Sequence, residues 1–228
     1  EQRATWEAIY DKKNEEFLKN PPVGKDLLRW KYQRYVKEYC RTIRSVDEQV
    51  GRLLDYLEEK GVLDNTVIVY TSDQGFLLGE HGLYDKRFMY EESFRTPLII
   101  SCPSLVKKHS VCKELVQNID LAPTFLSLAG VEVPKEMSGR SLLPLFKNGK
   151  AENWRNELYY HFYDYPAVGS VRKHDGIRTK RYKLIHWHGE GSGNDEAIDF
   201  WELYDLKKDV MEVNNVYDNP KYLSLIHI

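Results

Sequence analysis

Between Ser72 and Pro97 the chain concentrates side chains able to hold a cation and an oxyanion. Ser72-Asp73-Gln74-Gly75 sets a carboxylate beside an amide oxygen. Both are hard oxygen donors, matched to calcium or magnesium and poorly matched to softer metals. The same four residues also read as an Asx-type turn closing a strand, because an Asp side chain can bond the backbone two residues on. Lys86 follows a loop with Gly75, Gly79 and Gly82, residues that let a backbone fold back sharply. An ammonium returned to that position would act as a point charge against a sulfate or phosphate oxygen; the alternative is an exposed surface lysine. His81 is one of seven histidines, and a structural role is its default ahead of proton donation.

The flanking pattern supplies elements to carry these residues. From Leu28 through Tyr32, Tyr35, Val36, Tyr39, Ile43, Val46, Val50, Leu53, Leu54 and Leu57, apolar positions recur at three- and four-residue steps. This spacing predicts one long helix, or two in line, ending at Lys60-Gly61. The run 66–71 is β-branched and apolar on both faces, as expected of a buried parallel strand. A helix feeding such a strand is an α/β unit, and in open α/β sheets ligands collect beyond the strands' C-terminal ends, where Ser72–Gly82 lies. Further strands are expected at 97–101 and 114–118, and Asp120 as N-cap of a helix through Leu128, with Gly130 as its stop. Past the surface loop Lys147-Asn148-Gly149-Lys150, the pattern predicts short strands at 158–162, 169–178, 182–187 and 201–204. The domains expected are thus 1–150 and a small antiparallel sheet subdomain over 151–228.

Composition narrows the remaining classes. With 228 residues and 42% hydrophobic content the chain can bury a core. Its 33 basic and 35 acidic residues nearly cancel, which argues against nucleic acid as a partner and makes any anion site local. Cys40, Cys102 and Cys112 have no paired CxxC spacing and give only a slight hint of a 102–112 disulfide. No apolar run reaches the roughly 18 residues of a membrane span, and Glu1-Gln2-Arg3 opens no signal-peptide core. Aromatic residues make up 13% of the chain, and their cluster at Tyr159–Tyr163 reads as a half-buried sheet ahead of a ligand cleft.

Taken as one string, Thr71-Ser72-Asp73-Gln74-Gly75-Phe76-Leu77-Leu78-Gly79-Glu80-His81-Gly82, then Lys86, then Tyr90-Glu91-Glu92-Ser93-Phe94-Arg95-Thr96-Pro97-Leu98, resembles the second signature region of type I sulfatases. Ser45–Gly51, Asp120–Thr124 ahead of Gly139-Arg140-Ser141-Leu142, and the tail segments Gly176–Thr179, Tyr182–Ile185 and Glu202–Leu206 resemble that family in the same order. The resemblance covers roughly residues 30 to 217. It implies the C-terminal part of a mixed-sheet fold of the sulfatase and alkaline phosphatase type. It further implies that Asp73 and Gln74 supply part of a calcium site, although many relatives carry His or Asn at the position of Gln74. Lys86 would meet a sulfate oxygen in the transition state. His174 and Arg178 are candidate substrate contacts from the C-terminal subdomain. His81 is also carried as a substrate contact, with loop packing as its first expectation, and Arg95 is expected to start a strand.

The family's nucleophile is a formylglycine made in a Cys/Ser-x-Pro-x-Arg motif. Ser101-Cys102-Pro103-Ser104-Leu105 approaches that motif, but Leu105 stands where arginine is required. The acidic pair that completes the metal site is also without a counterpart. The resemblance therefore implies a fragment of a sulfuric ester hydrolase, acting in full length on sulfated sugars such as glycosaminoglycans and inactive alone. By family, such enzymes work in the periplasm, outside the cell or in lysosomes; oligomeric state is not readable. Rival readings are a phosphodiesterase or phosphonate hydrolase of the same superfamily, and a non-catalytic carbohydrate-binding or scaffold protein.

Overall fold

The computed structural model of the protein describes residues 2–166, 168–191 and 196–226. His227 and Ile228, the end of the apolar tail, lie outside the described residues. Two compact units divide between Lys60 and Gly61.

The first unit holds α1 (Gln2–Lys19) and α2 (Gly24–Glu59). Pro21 and Pro22 separate them, since proline cannot continue the first helix and restricts the residue before it. Phe17 and Trp30 pack with ring centroids 4.3 Å apart, and Arg34 donates to Asn14 Oδ1 at 2.9 Å. The expected stripe forms one uninterrupted helix, stopped where Lys60 N reaches Tyr56 O at 3.0 Å and Gly61 turns to φ +67°. Along it, Leu28, Ile43 and Leu53 remain 51–69% exposed.

The second unit opens with β1 (Ile68–Thr71), followed by the short pair β2 (Leu77–Leu78) and β3 (Tyr84–Asp85), the single turn α3 (Glu91–Phe94) and β4 (Leu98–Ser101). β1 pairs with β4 antiparallel, Val69 opposite Ile100. The parallel strand expected at 66–71 is thereby corrected for its described partner, because an apolar run reports burial and carries no strand direction. The strand expected at 114–118 does not form. Its backbone is claimed elsewhere: Leu115 O accepts from Trp154 Nε1 at 2.8 Å and Gln117 N donates to Asp120 Oδ2 at 2.8 Å.

α4 (Leu121–Leu128) and α5 (Leu143–Phe146) follow. Asp120 precedes α4 as expected, but its side chain does not cap the helix. With no exposed surface, it accepts from Arg140 N at 2.8 Å and from both guanidinium nitrogens of Arg155. Leu142 N donates to Thr124 Oγ1 at 2.8 Å, so Asp120–Thr124 and Gly139–Leu142, separated in sequence, form one joint. Cys102 is buried, Cys112 exposed, and both are free thiols, so the 102–112 disulfide is absent.

β5 (Glu157–Phe162), β6 (His174–Thr179), β7 (Tyr182–Gly189) and β8 (Ile198–Asp205) form an antiparallel meander; α6 (Leu223–Ile226) closes the described chain. The strands expected at 158–162, 182–187 and 201–204 fall inside it, while the one expected from Gly169 begins only at His174. Alternation along β7 turns Lys183, Ile185 and Trp187 to the buried face. There Met89, Val171, Ile185, Trp187 and Tyr204 build a core, each fully buried apolar side chain contributing roughly 1.5–3 kcal/mol. Gly176 is required at this contact: a Cβ there would lie 2.6 Å from the Met89 sulfur and 2.3 Å from Leu184 O. No described helix is long and apolar enough to cross a membrane.

Candidate active site

β1 delivers Ser72 and Asp73 at its C-terminal end. Thr71 Oγ1 ties the end of the strand to Pro97 O at 2.9 Å. Ser72 Oγ donates to Gln74 O at 2.7 Å, closing a tight turn, and lies 3.3 Å from Asp73 Oδ1. Asn118 then donates through one amide nitrogen to both Ser72 O and Asp73 O, each at 3.0 Å. The backbone is held by these bonds and the Asp73 carboxylate stays exposed. Gly75 permits close approach rather than a reversed turn: its N–H donates to Ser93 O at 2.8 Å, and a Cβ would meet Glu92 O at 2.1 Å.

From Gly79 onward the loop is strained. His81, Asp85 and Arg87 have φ of 55°, 82° and 87°, conformations that ordinary L-residues avoid. Asp85 and Arg87 form an ion pair across Lys86. Tyr160 Oη donates to Arg87 O at 3.2 Å, fixing the loop from β5. The Lys86 ammonium has no hydrogen bond or ion pair among the described residues. His81 stacks on Tyr90 at 4.2 Å, and its Nε2 lies 3.5 Å from Glu92 Oε2, a distance of charge contact without hydrogen-bond geometry. That packing is the loop role expected of it.

Beneath the loop lies a closed ion cluster. The Lys183 ammonium, with no exposed surface, donates to Met89 O at 2.6 Å and stands 2.9 Å from Glu91 Oε1 and 2.6 Å from Glu212 Oε1. Arg178 donates to both Glu91 oxygens at 3.3 Å, and Glu91 N donates to Glu212 Oε2 at 2.6 Å. Burial pushes the Glu91 carboxyl up, but Lys183 and Arg178 outweigh it and hold the group below the usual carboxylate range. Burial prevails at Glu212, whose carboxyl is raised. Tyr90 Oη donates to Glu202, and burial followed by that carboxylate raises the phenol.

A cleft of about 1070 Å³ brings Asp73, Gln74 and Arg178 onto one wall system with Glu91, Asn118 and Tyr159; Lys86, His81 and His174 are outside its lining. Two residues expected as substrate contacts have partners within the protein. Arg178 spends its guanidinium on Glu91. His174 has no exposed surface; its Nδ1 donates to Arg172 O at 2.8 Å, its ring stacks on Trp187 at 4.2 Å, and burial drives it down to about 4. Both residues share the inner-face parity of β6, but His174 is enclosed in the core while Arg178, half-buried, keeps a place on the cleft wall. Sequence reasoning missed Asn118, read as part of a strand, and gave Glu91 no role. Their partners lie 45 and 87 to 121 residues away, beyond any local pattern.

The donor set at the strand end consists of oxygens and suits a hard cation such as calcium, of whose roughly six to eight ligands it would supply two. No residue here fits a formylglycine position. Residues 79–228 match the family model described as N-sulphoglucosamine sulphohydrolase, C-terminal, and residues 3–131 match the one described as Sulfatase. The chain is similar to an N-acetylglucosamine-6-O-sulfatase of Bacteroides thetaiotaomicron, 51% identical over 219 residues, covering 95% of this chain and 38% of that protein. Human N-acetylglucosamine-6-sulfatase is 40% identical over 124 residues, 54% of this chain and 22% of the relative. A solved structure described as in complex with its substrate D-glucosamine-2-N,6-O-disulfate superposes with a TM-score of 0.90 at 50% identity, covering 97% of this chain and 44% of that one. The chain thus spans well under half the length of these relatives. Because each family model takes in more than half of its residues, the chain belongs to the sulfatase family, within the alkaline phosphatase superfamily.

Proposed function

We propose that this chain is the C-terminal part of an enzyme hydrolysing sulfate esters of amino sugars, the 6-O-sulfate of N-acetylglucosamine being the substrate class that its relatives' names support. One observation carries the reading: Asp73 stands exposed at the tip of β1, its backbone pinned by Asn118, with Lys86, unpaired among the described residues, in the strained loop that follows. Asp73 and Gln74 would hold calcium, which when bound supplies Lewis-acid charge to a sulfate oxygen. Asp73 orients its carboxylate through the Ser72 turn, and Lys86 contributes a point charge toward the same oxyanion. The Glu91–Lys183 cluster fixes Met89 and Glu91, on the C-terminal side of the Lys86 loop. No step is assigned to a formylglycine, and residues 151–228 are read as the supporting sheet subdomain. The sulfated sugar would be the partner of the cleft lined by Asp73 and Tyr159.

The test joins this chain to the N-terminal portion of the Bacteroides relative and measures sulfate release from N-acetylglucosamine 6-sulfate, with calcium and with chelator. Calcium-dependent release that falls about 100- to 1000-fold in Lys86→Ala, at unchanged thermal midpoint, is expected. Preference for a phosphate or phosphonate ester would overturn the reading in favour of the superfamily's phosphoryl branch.

A further inference from the structure

The outer face of the four-stranded sheet carries a second cluster of residues able to bind a ligand. β7 alternates, so while Ile185 and Trp187 enter the core, His186 and His188 share the opposite face. Register then adds Asp175, directly across from His186 on β6, and Asp199, directly across from His188 on β8. His188 Nε2 lies 2.7 Å from Asp175 Oδ1, and His186 Nε2 lies 2.8 Å from Asp199 Oδ1. The two imidazole rings are 4.9 Å apart, and the ligand atoms of Asp175, His186 and His188 all fall within 4.8 Å of one another.

We propose that Asp175, His186 and His188 form a site for a divalent transition-metal ion, zinc in the first instance. Two imidazole nitrogens and one carboxylate oxygen are the donor types of zinc sites, whereas calcium takes oxygens almost alone. Ligands about 2.0–2.2 Å from a tetrahedral zinc lie roughly 3.5 Å from one another, so the 2.7 Å His188–Asp175 pair must open while wider separations, all within 4.8 Å, close by about 1 Å at most. Side-chain rotation supplies this, because the three side chains are 24–31% exposed at the rim of a rigid ladder. Trp201 stacks on His186 at 4.0 Å and 6°, holding the ring plane, and Asp199 is a positioning residue through its contact with His186 Nε2. Two neutral-to-charged His–Asp surface pairs would explain each contact separately. They do not explain why one ligand atom from each of Asp175, His186 and His188 falls within 4.8 Å of the other two, since one pair needs no third group. The donor set differs from that of Asp73-Gln74: one sequence would offer a hard oxygen site and a borderline nitrogen site.

The experiment is a calorimetric titration of the 228-residue chain with zinc chloride, repeated with calcium chloride. Cobalt substitution is followed by visible absorption, which reports tetrahedral nitrogen and oxygen ligation. One zinc per chain is expected at this site, with affinity lost in His186→Gln and in His188→Gln by more than the roughly 10–100-fold typical of changes around a metal's outer shell. His109→Asn, on a remote exposed loop, should bind as the parent does. Metal-free urea unfolding of each variant guards against a folding defect, and a variant that is destabilised is replaced by Asp175→Asn. Zinc binding equal in parent and both histidine variants, or displacement of zinc by calcium at equal concentration, would overturn the proposal. Neither outcome depends on sulfatase activity.

Discussion

Lys86 and Glu91 stand five residues apart in one motif and live in opposite environments. Lys86 has no countercharge among the described residues and sits between two residues of positive φ. Glu91 lies inside a cluster where Lys183, Arg178 and the Glu212 carboxylate are all engaged. The contrast separates two uses of charge within one run of sequence. A charge held on a strained loop without a partner is available to a ligand, whereas a charge buried among partners anchors the loop to the sheet beneath it.

The sharpest way to break this contrast is to remove a charge from each region and compare stability. Lys183→Ala strands the fully buried Glu212 carboxylate and takes one of two cationic partners from Glu91, and it should lower unfolding free energy by about 3–5 kcal/mol, read from urea denaturation. Lys86→Ala in the same assay should stay within about 0.5 kcal/mol. Equal effects would dissolve the distinction.

A second separation uses pH. His174 is depressed to about 4 by burial, so between its unfolded value near 6.5 and about 4 the unfolded chain binds the proton and the folded chain does not. Stability from this group is therefore full above about pH 6.5 and falls by about 3 kcal/mol on acidification to pH 4. His174→Phe should flatten that fall, measured as urea midpoints across the range. Glu91, held below its ordinary value, adds a further loss only as pH drops below about 4.5 and through its folded value. Glu212, raised, works in the opposite direction.

The smallest effect concerns the strained loop itself. At φ 87° a glycine escapes the Cβ conflict, so Arg87→Gly should be about 1 kcal/mol more stable than Arg87→Ala. Both variants lose the Asp85 pair alike, and thermal midpoints of the two compare them directly.

Legibility in the sequence follows the same divide. α2 and its stop at Gly61 were readable because a 3.6-residue period and a glycine cap are local signals. β1 was readable as a strand and not in its direction, since apolar residues on both faces report burial alone. Residues 114–118 look like a strand, yet Asp120 and Trp154 take their backbone groups, a decision made 39 residues away at Trp154. Asp73, Gln74 and Lys86 are legible as a string, but Asn118, which pins the Asp73 backbone from 45 residues away, is not. For His174 and Arg178 parity held a clue to placement: His174, Gly176 and Arg178 alternate with the outward Asp175 and Ile177, and the glycine marks the face against which Met89 packs. The same parity places Lys183 with Ile185 and Trp187, where a lysine must find buried partners.

The central claim is that Asp73 serves a ligand and not the fold. Its most direct test is Asp73→Asn in the chain joined to the N-terminal portion of the Bacteroides relative, assayed for sulfate release alongside thermal unfolding with and without calcium. The expected result is turnover reduced about 100-fold or more, loss of the calcium-induced rise in thermal midpoint, and an unchanged midpoint without calcium. Full turnover with an undiminished calcium response would contradict it.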